Sequence, residues 1–423
     1  MVKSAYIHIP FCNNICSYCD FCKLLYNKNF VKKYLDALEK EITNNYKNEI
    51  LDTIYIGGGT PFSLSITELN KLFSIIRIFK LSKDYEFTFE VNIEDITKEK
   101  LEKLKENKVN RLSIGIESFN DKYLKYLGRN YTSVIIKEKV ELAKKYFDNI
   151  NVDLMYALKN ESLDDLEKDI DKILTLDIKH ISCYSLIIEK NTKLYIDNTK
   201  YISDDLDSDM YDLIDKKLEN KYHRYEVSNY SITSYESRHN LTYWKNNEYY
   251  GFGLGAAGYI DNIRYTNTRN LSKYISGSYE RQEEVLTKED EIKYEFILGL
   301  RLTNGINKDN FNKKYGININ EIKAIKESEG YLLDETSYSM PLTYKGENYS
   351  LIEETQTLQE TVKKQAFQIY KVGGTEDDTT HTPLAGAGFK VYLISELSQV
   401  KSGEITPDSN GNFNTDDFIG YDF

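Results

Sequence analysis

Four of the chain's five cysteines lie close together near its start, in the run YIHIPFCNNICSYCDFC from Tyr6 to Cys22. Cys12, Cys16 and Cys19 have C-x3-C-x2-C spacing. Thiolates this close can turn toward one metal centre when their loop has just left a strand. Three alternatives are open. They are a [4Fe–4S] cluster held by three thiolates with one iron open to a small chelating molecule, a zinc site that includes Cys22, and a disulfide or free thiols.

Glycines and carboxylates further along the chain have the chemistry to hold a ligand beside such a centre. The run GGGTP begins at Gly57, and its bare backbone would let carbonyl groups accept hydrogen bonds from an ammonium group. Glu90 in EVN and Glu117 in SIGIES together suit a cationic, hydroxyl-rich ligand. Considered alone, the GGGTP run has a tight turn as its alternative, and Glu90 and Glu117 have the alternative of solvated loop charges.

Residues 1–188 alternate short β-rich runs with longer amphipathic runs, which is typical of βα units around a parallel sheet. The predicted strands are 5–9, 53–56, 86–91, 111–116, 151–155 and 180–186, and the predicted helices are 30–46, 66–79, 98–107, 133–147 and 163–176. These units predict an α/β fold, a partial (βα)6 barrel. Because functional residues of parallel barrels gather at the C-terminal ends of the strands, we expect the cysteines, the GGGTP run, Glu90, Glu117 and Asp153 on one face.

The pattern Y-x-H-x-P-F-C-x3-C-x-Y-C-D-F resembles the cluster loop of radical S-adenosylmethionine (SAM) enzymes, in particular the oxygen-independent coproporphyrinogen III oxidase-like family. The resemblance covers about residues 1–333. In that family the open iron of a [4Fe–4S] cluster binds SAM, and one electron cleaves SAM to a 5′-deoxyadenosyl radical. The resemblance implies that Cys12, Cys16 and Cys19 ligate the cluster and that Cys22 does not. The SAM contacts it implies are Tyr6, Tyr18, Gly58, Gly59, Thr60, Glu90, Glu117, Arg129 and Asp153. Glu117 departs from the family pattern, which often has Gln there.

A second region, 189–286, is predicted as a β-containing extension of the barrel. Its glycines at 251, 253, 255 and 258 would bring backbone against a flat ligand, or would form turns that close the barrel. The run HNLTYW, which starts at His239, resembles the HNxxYW motif of HemW-type haem chaperones, a group within the same family. The motif makes His239 a candidate axial haem ligand, and a hydrogen-bonded structural histidine is the alternative.

The last two predicted regions are a small helical domain at 287–340 and a β-rich tail at 341–423. The tail resembles an incomplete Cna-B or SpaA-type surface domain, with Lys371 as the matching cross-link lysine. Such a domain does not suit an intracellular cluster protein. We therefore interpret the tail as a fusion artefact or an incomplete graft, and a genuine interaction module is the alternative.

The composition of the chain limits the classes of partner and the cellular compartment that we expect. A net charge of −12 argues against nucleic acid, since phosphate binding needs a basic face. No apolar run is long enough for a spanning helix, and the start lacks a signal peptide, so we expect a reduced, cytoplasmic protein.

The expected function is a radical SAM-type haem chaperone that binds a [4Fe–4S] cluster, SAM and haem, receives electrons from a reductant such as flavodoxin or ferredoxin, and delivers haem to haemoproteins. The alternatives are a coproporphyrinogen III dehydrogenase and a zinc-stabilised binding protein without radical chemistry.

Overall fold

The structure, a computed structural model, describes residues 2–319, 341–344, 347–350, 372–373 and 382–383. The chain forms two units, Met1–Ile306 and Asn307–Phe423. The predicted division at residues 188, 286 and 340 is not tested by this arrangement and stays a prediction.

The first unit is built on a long parallel sheet. Its strands are β1 (Ser4–Ile9), β2 (Phe11–Cys12), β3 (Leu24–Leu25), β4 (Ile50–Gly58), β5 (Lys80–Asn92), β6 (Arg111–Glu117), β7 (Asn149–Tyr156), β8 (His180–Ser185), β9 (His223–Glu226), β10 (Asn229–Ser231), β11 (Tyr250–Phe252), β12 (Ala257–Ile260), β13 (Ile263–Thr266) and β14 (Gln282–Val285). In the described part of the chain, nine of them form one sheet in the order β11-β1-β4-β5-β6-β7-β8-β10-β9. The strands from β11 to β8 run parallel, and β10 pairs antiparallel with both β8 and β9.

Helices connect these strands. They are α1 (Lys28–Asn45), α2 (Ile66–Ile76), α3 (Lys98–Glu106), α4 (Asp121–Leu127), α5 (Val134–Lys144), α6 (Leu163–Thr175), α7 (Lys193–Ile196), α8 (Asp204–Leu218), α9 (Arg238–Trp244), α10 (Leu271–Ile275) and α11 (Lys288–Gly299). Capping boxes begin α2 at Ser65 and α6 at Ser162, where a side-chain carboxylate three residues on accepts from the cap backbone. The predicted α/β fold with its six βα strands is confirmed.

Alternation along the strands separates the core from the candidate site. In β5, Phe87 and Phe89 are buried, and their rings lie 6.5 and 5.9 Å from that of Phe73 on α2. Successive side chains of a strand point to opposite faces, so Glu90 and Asn92 face away from the helices. The parallel sheet therefore buries apolar residues on the helix side and keeps its other face polar.

The glycine-rich segment closes the sheet on the side of β1. There β11 pairs in parallel with β1, with Tyr6 opposite Gly251. A Cβ at Gly251 would lie 1.8 Å from the Ala257 carbonyl oxygen, and one at Gly258 would lie 2.3 Å from the Tyr265 ring. These glycines approach protein atoms, which favours the barrel-closing alternative over a face for a flat ligand.

The described parts of the second unit are the helix α12 (Lys308–Tyr315) and four short strands, β15 (Pro341–Tyr344), β16 (Glu347–Ser350), β17 (Val372–Gly373) and β18 (Thr382–Pro383). β15 pairs with β16 and β17 with β18, both antiparallel. Lys371 and most of the tail predicted to be Cna-B-like lie outside the described residues. Among the helices that are described, none is long and apolar enough to cross a membrane.

Candidate metal centre and ligand site

The cysteine loop is closed at its base. It leaves β1 through the short strand β2, which pairs in parallel with β3. The Leu24 N–H donates to the Pro10 carbonyl at 2.7 Å, and the Tyr26 N–H donates to the Cys12 carbonyl at 2.8 Å. Residues 13–23 therefore form a loop whose two ends are held together beside the C-terminal end of β1.

The tip of the loop is anchored to two helices. The Ser17 N–H donates to the Leu127 carbonyl at the end of α4 at 2.9 Å, and the Ser17 carbonyl accepts from the Leu194 N–H of α7 at 3.1 Å. Gly128, which ends α4 with φ 78°, would place a Cβ only 3.3 Å from the Ser17 nitrogen. Glycine is favoured here for two reasons, because the φ is positive and the two backbones approach closely.

Cys12 and Cys16 both lie close enough to Cys19 for its charge to affect their ionisation. Burial raises the pKa of the Cys12 thiol to about 11; a hydrogen bond from Thr60 opposes that shift, and the nearby Cys19 and Cys16 add to it. Burial raises the pKa of Cys16 and of Cys19 as well. Because a charge on Cys19 raises the pKa of both Cys12 and Cys16, a cationic centre would be needed to hold these thiols as thiolates, and an iron–sulfur cluster or zinc would supply one.

Cys22 has different neighbours. Its pKa is raised by burial and lowered by a hydrogen bond from Arg269. A Cβ at Gly255 would lie 3.0 Å from its sulfur, so Cys22 lies against the glycine-rich segment. All five cysteines are free thiols. Among the residues that the structure describes, no three His, Cys, Asp or Glu side chains are arranged to hold a single metal ion, and this holds for the three-cysteine set as well as for the set that includes Cys22.

The GGGTP run lies directly against Cys12. The Gly59 N–H donates to the Ile9 carbonyl and the Thr60 N–H to the Phe11 carbonyl, both at 2.9 Å. The Thr60 hydroxyl donates to the Cys12 sulfur at 3.7 Å, and a Cβ at Gly59 would come within 2.8 Å of that sulfur. Residue 59 must therefore lack a side chain for the loop and the run to meet.

A polar network continues from Thr60 across the neighbouring strands. Asn92 donates to the Thr60 hydroxyl at 3.0 Å and accepts from Arg129 Nη1 at 3.2 Å. Arg129 also pairs with Glu117, and the Tyr18 hydroxyl lies 3.0 Å from Arg129 Nη2 and 3.1 Å from Glu117 Oε1. The Arg129 and Glu117 side chains are each 7% exposed, and Glu117 has φ 66° at the end of β6.

Glu90 forms a second polar group beside the first. Its carboxylate accepts from the Tyr55 hydroxyl at 2.7 Å and from the Gly58 N–H at 2.9 Å. Burial raises the pKa of Glu90 to about 7; the two hydrogen bonds lower it and the nearby Asp153 raises it. Burial also raises the pKa of Asp153, whereas Asn151, Ser182, Arg111 and Arg129 lower it. Asp153 therefore lies close enough to act on both polar groups.

The structure adds three residues to which the sequence assigned no role. His8 hydrogen-bonds through its two ring nitrogens to the Tyr6 hydroxyl at 2.9 Å and to the Cys22 carbonyl at 2.7 Å, and burial lowers its pKa to about 4. Tyr55 and Asn92 are the others. The available signal was strand periodicity, because Tyr55 precedes Gly57 by two positions and Asn92 follows Glu90 by two.

His239 lies elsewhere, at the level of Thr53 in the buried interior. It is 0% exposed, with Nδ1 2.7 Å from the Thr53 hydroxyl and Nε2 2.7 Å from the Tyr243 hydroxyl. An axial haem ligand needs a free ring nitrogen and an open approach. The candidate role of His239 as a haem ligand is therefore not supported by this arrangement, and the structural alternative describes it better.

Comparison with known proteins places the chain in a family. Residues 6–173 match the model of the radical SAM superfamily. The chain is 40% identical over 364 residues to the heme chaperone HemW of Bacillus subtilis (strain 168), which covers 82% of this chain and 96% of the relative. The chain belongs to the HemW family. A second HemW, from Lactococcus lactis subsp. lactis (strain IL1403), is 40% identical over 323 residues, covering 74% of this chain and 85% of that HemW.

The fold agrees with that placement. Coproporphyrinogen III oxidase (HemN) from Escherichia coli matches with a TM-score of 0.68 at 20% identity, over 78% of this chain and 82% of that one. At this identity the likeness concerns the fold. Membership in the HemW family, within the radical SAM superfamily, implies a [4Fe–4S] cluster and SAM as bound groups.

Proposed function

We propose that this protein is a haem chaperone of the radical SAM type, which binds a [4Fe–4S] cluster, SAM and haem and delivers haem to haemoproteins. The observation that carries the proposal is the unbroken polar chain from Cys12 through Thr60 and Asn92 to the Arg129–Glu117 pair. It joins the cysteine donor set to a polar ligand site within one set of strand ends, and the HemW relatives are named heme chaperones.

Cys12, Cys16 and Cys19 would hold the cluster, whose open iron and electron supply the chemistry of this family. The protein's own part is to seat the nucleotide beside it. The Gly58 and Gly59 carbonyl groups are the backbone acceptors assigned to the ligand, and the Thr60 hydroxyl hydrogen-bonds to Cys12. The contacts assigned to SAM are Tyr6, Tyr18, Gly58, Gly59, Thr60, Glu90, Glu117, Arg129 and Asp153.

Haem binding rests on the relatives' names and on the HNLTYW motif, and its ligand is open. Among the described histidines, His8, His180 and His239 have both ring nitrogens hydrogen-bonded to protein groups. His223 is partly exposed and lies 2.8 Å from Glu236. The haem-accepting protein, the flavodoxin- or ferredoxin-like reductant and the cytoplasmic location stay predictions.

The test uses protein purified without oxygen. We expect iron and sulfide in cluster proportion, SAM binding by calorimetry, a haem absorption band on titration, and transfer of that haem to an apo-haemoprotein. Conversion of coproporphyrinogen III to protoporphyrinogen IX with SAM and a reductant would instead support the dehydrogenase. Stoichiometric zinc without iron would support the zinc-stabilised binding protein.

A further inference from the structure

We propose that His239 is a positioning residue of the SAM site, which acts through Tyr55 on Glu90, and that it is not a haem ligand. The proposal rests on the proposed function, because it assigns the HNLTYW motif to the ligand site described above. It gives a reason for the motif that does not require haem.

The first step of the argument is how firmly His239 is held. Its backbone N–H donates to the Glu86 carboxylate at 3.0 Å, and its ring is fixed by Thr53 on one side and Tyr243 on the other. Burial and the nearby Arg111 lower the pKa of His239 to about 3. The imidazole is therefore neutral and held in one orientation.

The second step is what the ring supports. The His239 ring lies 5.2 Å from that of Tyr55, at 31° between planes. One face of β4 carries Thr53, Tyr55 and Gly57 in succession. His239 is bonded to Thr53, so it lies one layer below Tyr55 and two layers below the glycine run. Because the phenol rests on the imidazole, its hydroxyl is directed to Glu90, which it meets at 2.7 Å.

The rest of the motif holds α9 in place. Tyr243 packs edge-on against His239 at 5.0 Å and against Tyr249 at 4.6 Å. The Thr242 hydroxyl lies 2.9 Å from the Ser4 hydroxyl of β1, and Arg301 lies 4.4 Å above the Trp244 ring. These contacts fix the helix against the sheet, so the orientation of His239 is determined before any ligand arrives.

The consequence is preorganisation. A carboxylate held in its binding position loses less conformational entropy when a ligand arrives, and this lowers the cost of binding. The groups that face Glu90 are Tyr55, the Gly58 N–H, Asp153, Tyr6 and Tyr243. Of these, the Tyr55 hydroxyl and the Gly58 N–H stabilise the ionised form.

The test compares cluster-loaded wild type with His239→Phe, which keeps a flat ring but removes both hydrogen bonds. His223→Ala is the matched control, because that histidine is partly exposed and outside the site. We expect SAM to bind more weakly to His239→Phe, by up to about tenfold, because the ring under Tyr55 is no longer held in one orientation and the Tyr55–Glu90 hydrogen bond is weakened or lost. The pH midpoint of SAM binding, set by Glu90 ionisation, should shift upward, as in Tyr55→Phe. Haem affinity and spectrum should stay unchanged.

The outcomes separate this inference from the proposed function. If wild type binds no SAM, the proposed function fails. If wild type binds SAM and His239→Phe binds it equally well, with the same pH midpoint, the positioning role is overturned. A changed haem spectrum in His239→Phe with unchanged SAM binding would restore the ligand role. If His239→Phe does not fold, Tyr243→Phe decides, with an expected two- to threefold weaker SAM affinity; equal affinity would overturn the inference.

Discussion

The Thr60 hydroxyl donates a hydrogen bond to the Cys12 sulfur at 3.7 Å. The same hydroxyl accepts from Asn92 at 3.0 Å, so one side chain joins the candidate cluster loop to the ligand site. Replacing Thr60 with Val keeps the shape and removes both bonds. We expect the pKa of the Cys12 thiol to rise, because the Thr60 hydrogen bond that lowers it in wild type is absent. We also expect the affinity for SAM to fall by about tenfold. The pH dependence of thiol alkylation in cluster-free protein measures the first effect, and calorimetry measures the second. Thr60→Ser, which keeps the hydroxyl, should behave as wild type.

Alanine substitution of individual cysteines should distinguish the cluster ligands from the other thiols. Cys12→Ala, Cys16→Ala and Cys19→Ala should each lose the bound iron and sulfide, because a cluster with two thiolate donors is not retained. Cys22→Ala and Cys183→Ala are matched controls and should keep both. Iron and sulfide content after anaerobic reconstitution checks this. Loss of iron in Cys22→Ala would contradict the three-cysteine assignment.

Gly59 has no room for a side chain. A Cβ there would lie 2.8 Å from both the Cys12 sulfur and the Pro10 carbonyl carbon, and the latter is backbone. We expect Gly59→Ala to lower the free energy of unfolding by about 1–3 kcal/mol and to impair cluster assembly. Gly277→Ala is the control. A Cβ at Gly277 would meet no atom within 4 Å, so only the backbone strain at its φ of 85° should lower the free energy of unfolding, by about 1 kcal/mol. The iron content of Gly277→Ala should be normal. Denaturant unfolding and iron analysis measure both variants.

Glu90 links stability to pH. Its pKa is raised from 4.5 in the unfolded chain to about 7, so between these values the folded state binds more protons and stability falls as the pH rises. Above pH 7 the folded protein carries the cost of a buried carboxylate. Glu90→Gln should therefore increase the free energy of unfolding at pH 8, by on the order of 1 kcal/mol, with little gain near pH 5. SAM binding should weaken in the same variant. An equal gain at both pH values would show that ionisation of Glu90 is not the cause.

The buried pair of Arg129 and Glu117 should respond unequally to its two substitutions. Arg129→Met leaves Glu117 buried without its counter-charge, which costs about 3 kcal/mol. Glu117→Gln removes the counter-charge of Arg129 but keeps a neutral acceptor for Arg129 and Tyr18, and Asn92 still accepts from Arg129, so we expect a smaller cost of about 1–2 kcal/mol. Chemical denaturation of the two variants tests the order. A larger cost for Glu117→Gln would mean that the unpaired Arg129 guanidinium, which cannot lose its charge, costs more than an unpaired Glu117 carboxyl, which can be protonated.

The sequence by itself determined the βα repeat, because strand alternation, helix periodicity and capping residues such as Ser65 and Ser162 are local signals. The resemblance of the cysteine loop to the radical SAM family implied that Cys22 stands apart from the C-x3-C-x2-C run, and that assignment stays a prediction. The candidate residues Glu90, Glu117 and Asp153 could be placed on one face because parallel strands end at a common edge.

Only the tertiary structure decided which distant residues meet. β11 joins the sheet beside β1 although more than two hundred residues separate them, and α9 brings His239 under Tyr55. His8, Tyr55 and Asn92 received no role from the sequence. Strand periodicity put Tyr55 on the face of Gly57 and Asn92 on the face of Glu90, but it does not say which side chains of other strands they meet. A hydrogen bond between two strands depends on which strands pair and in which register. Both are set by packing of the whole chain, so they cannot be predicted from the residues on either side of the bonded residue in sequence.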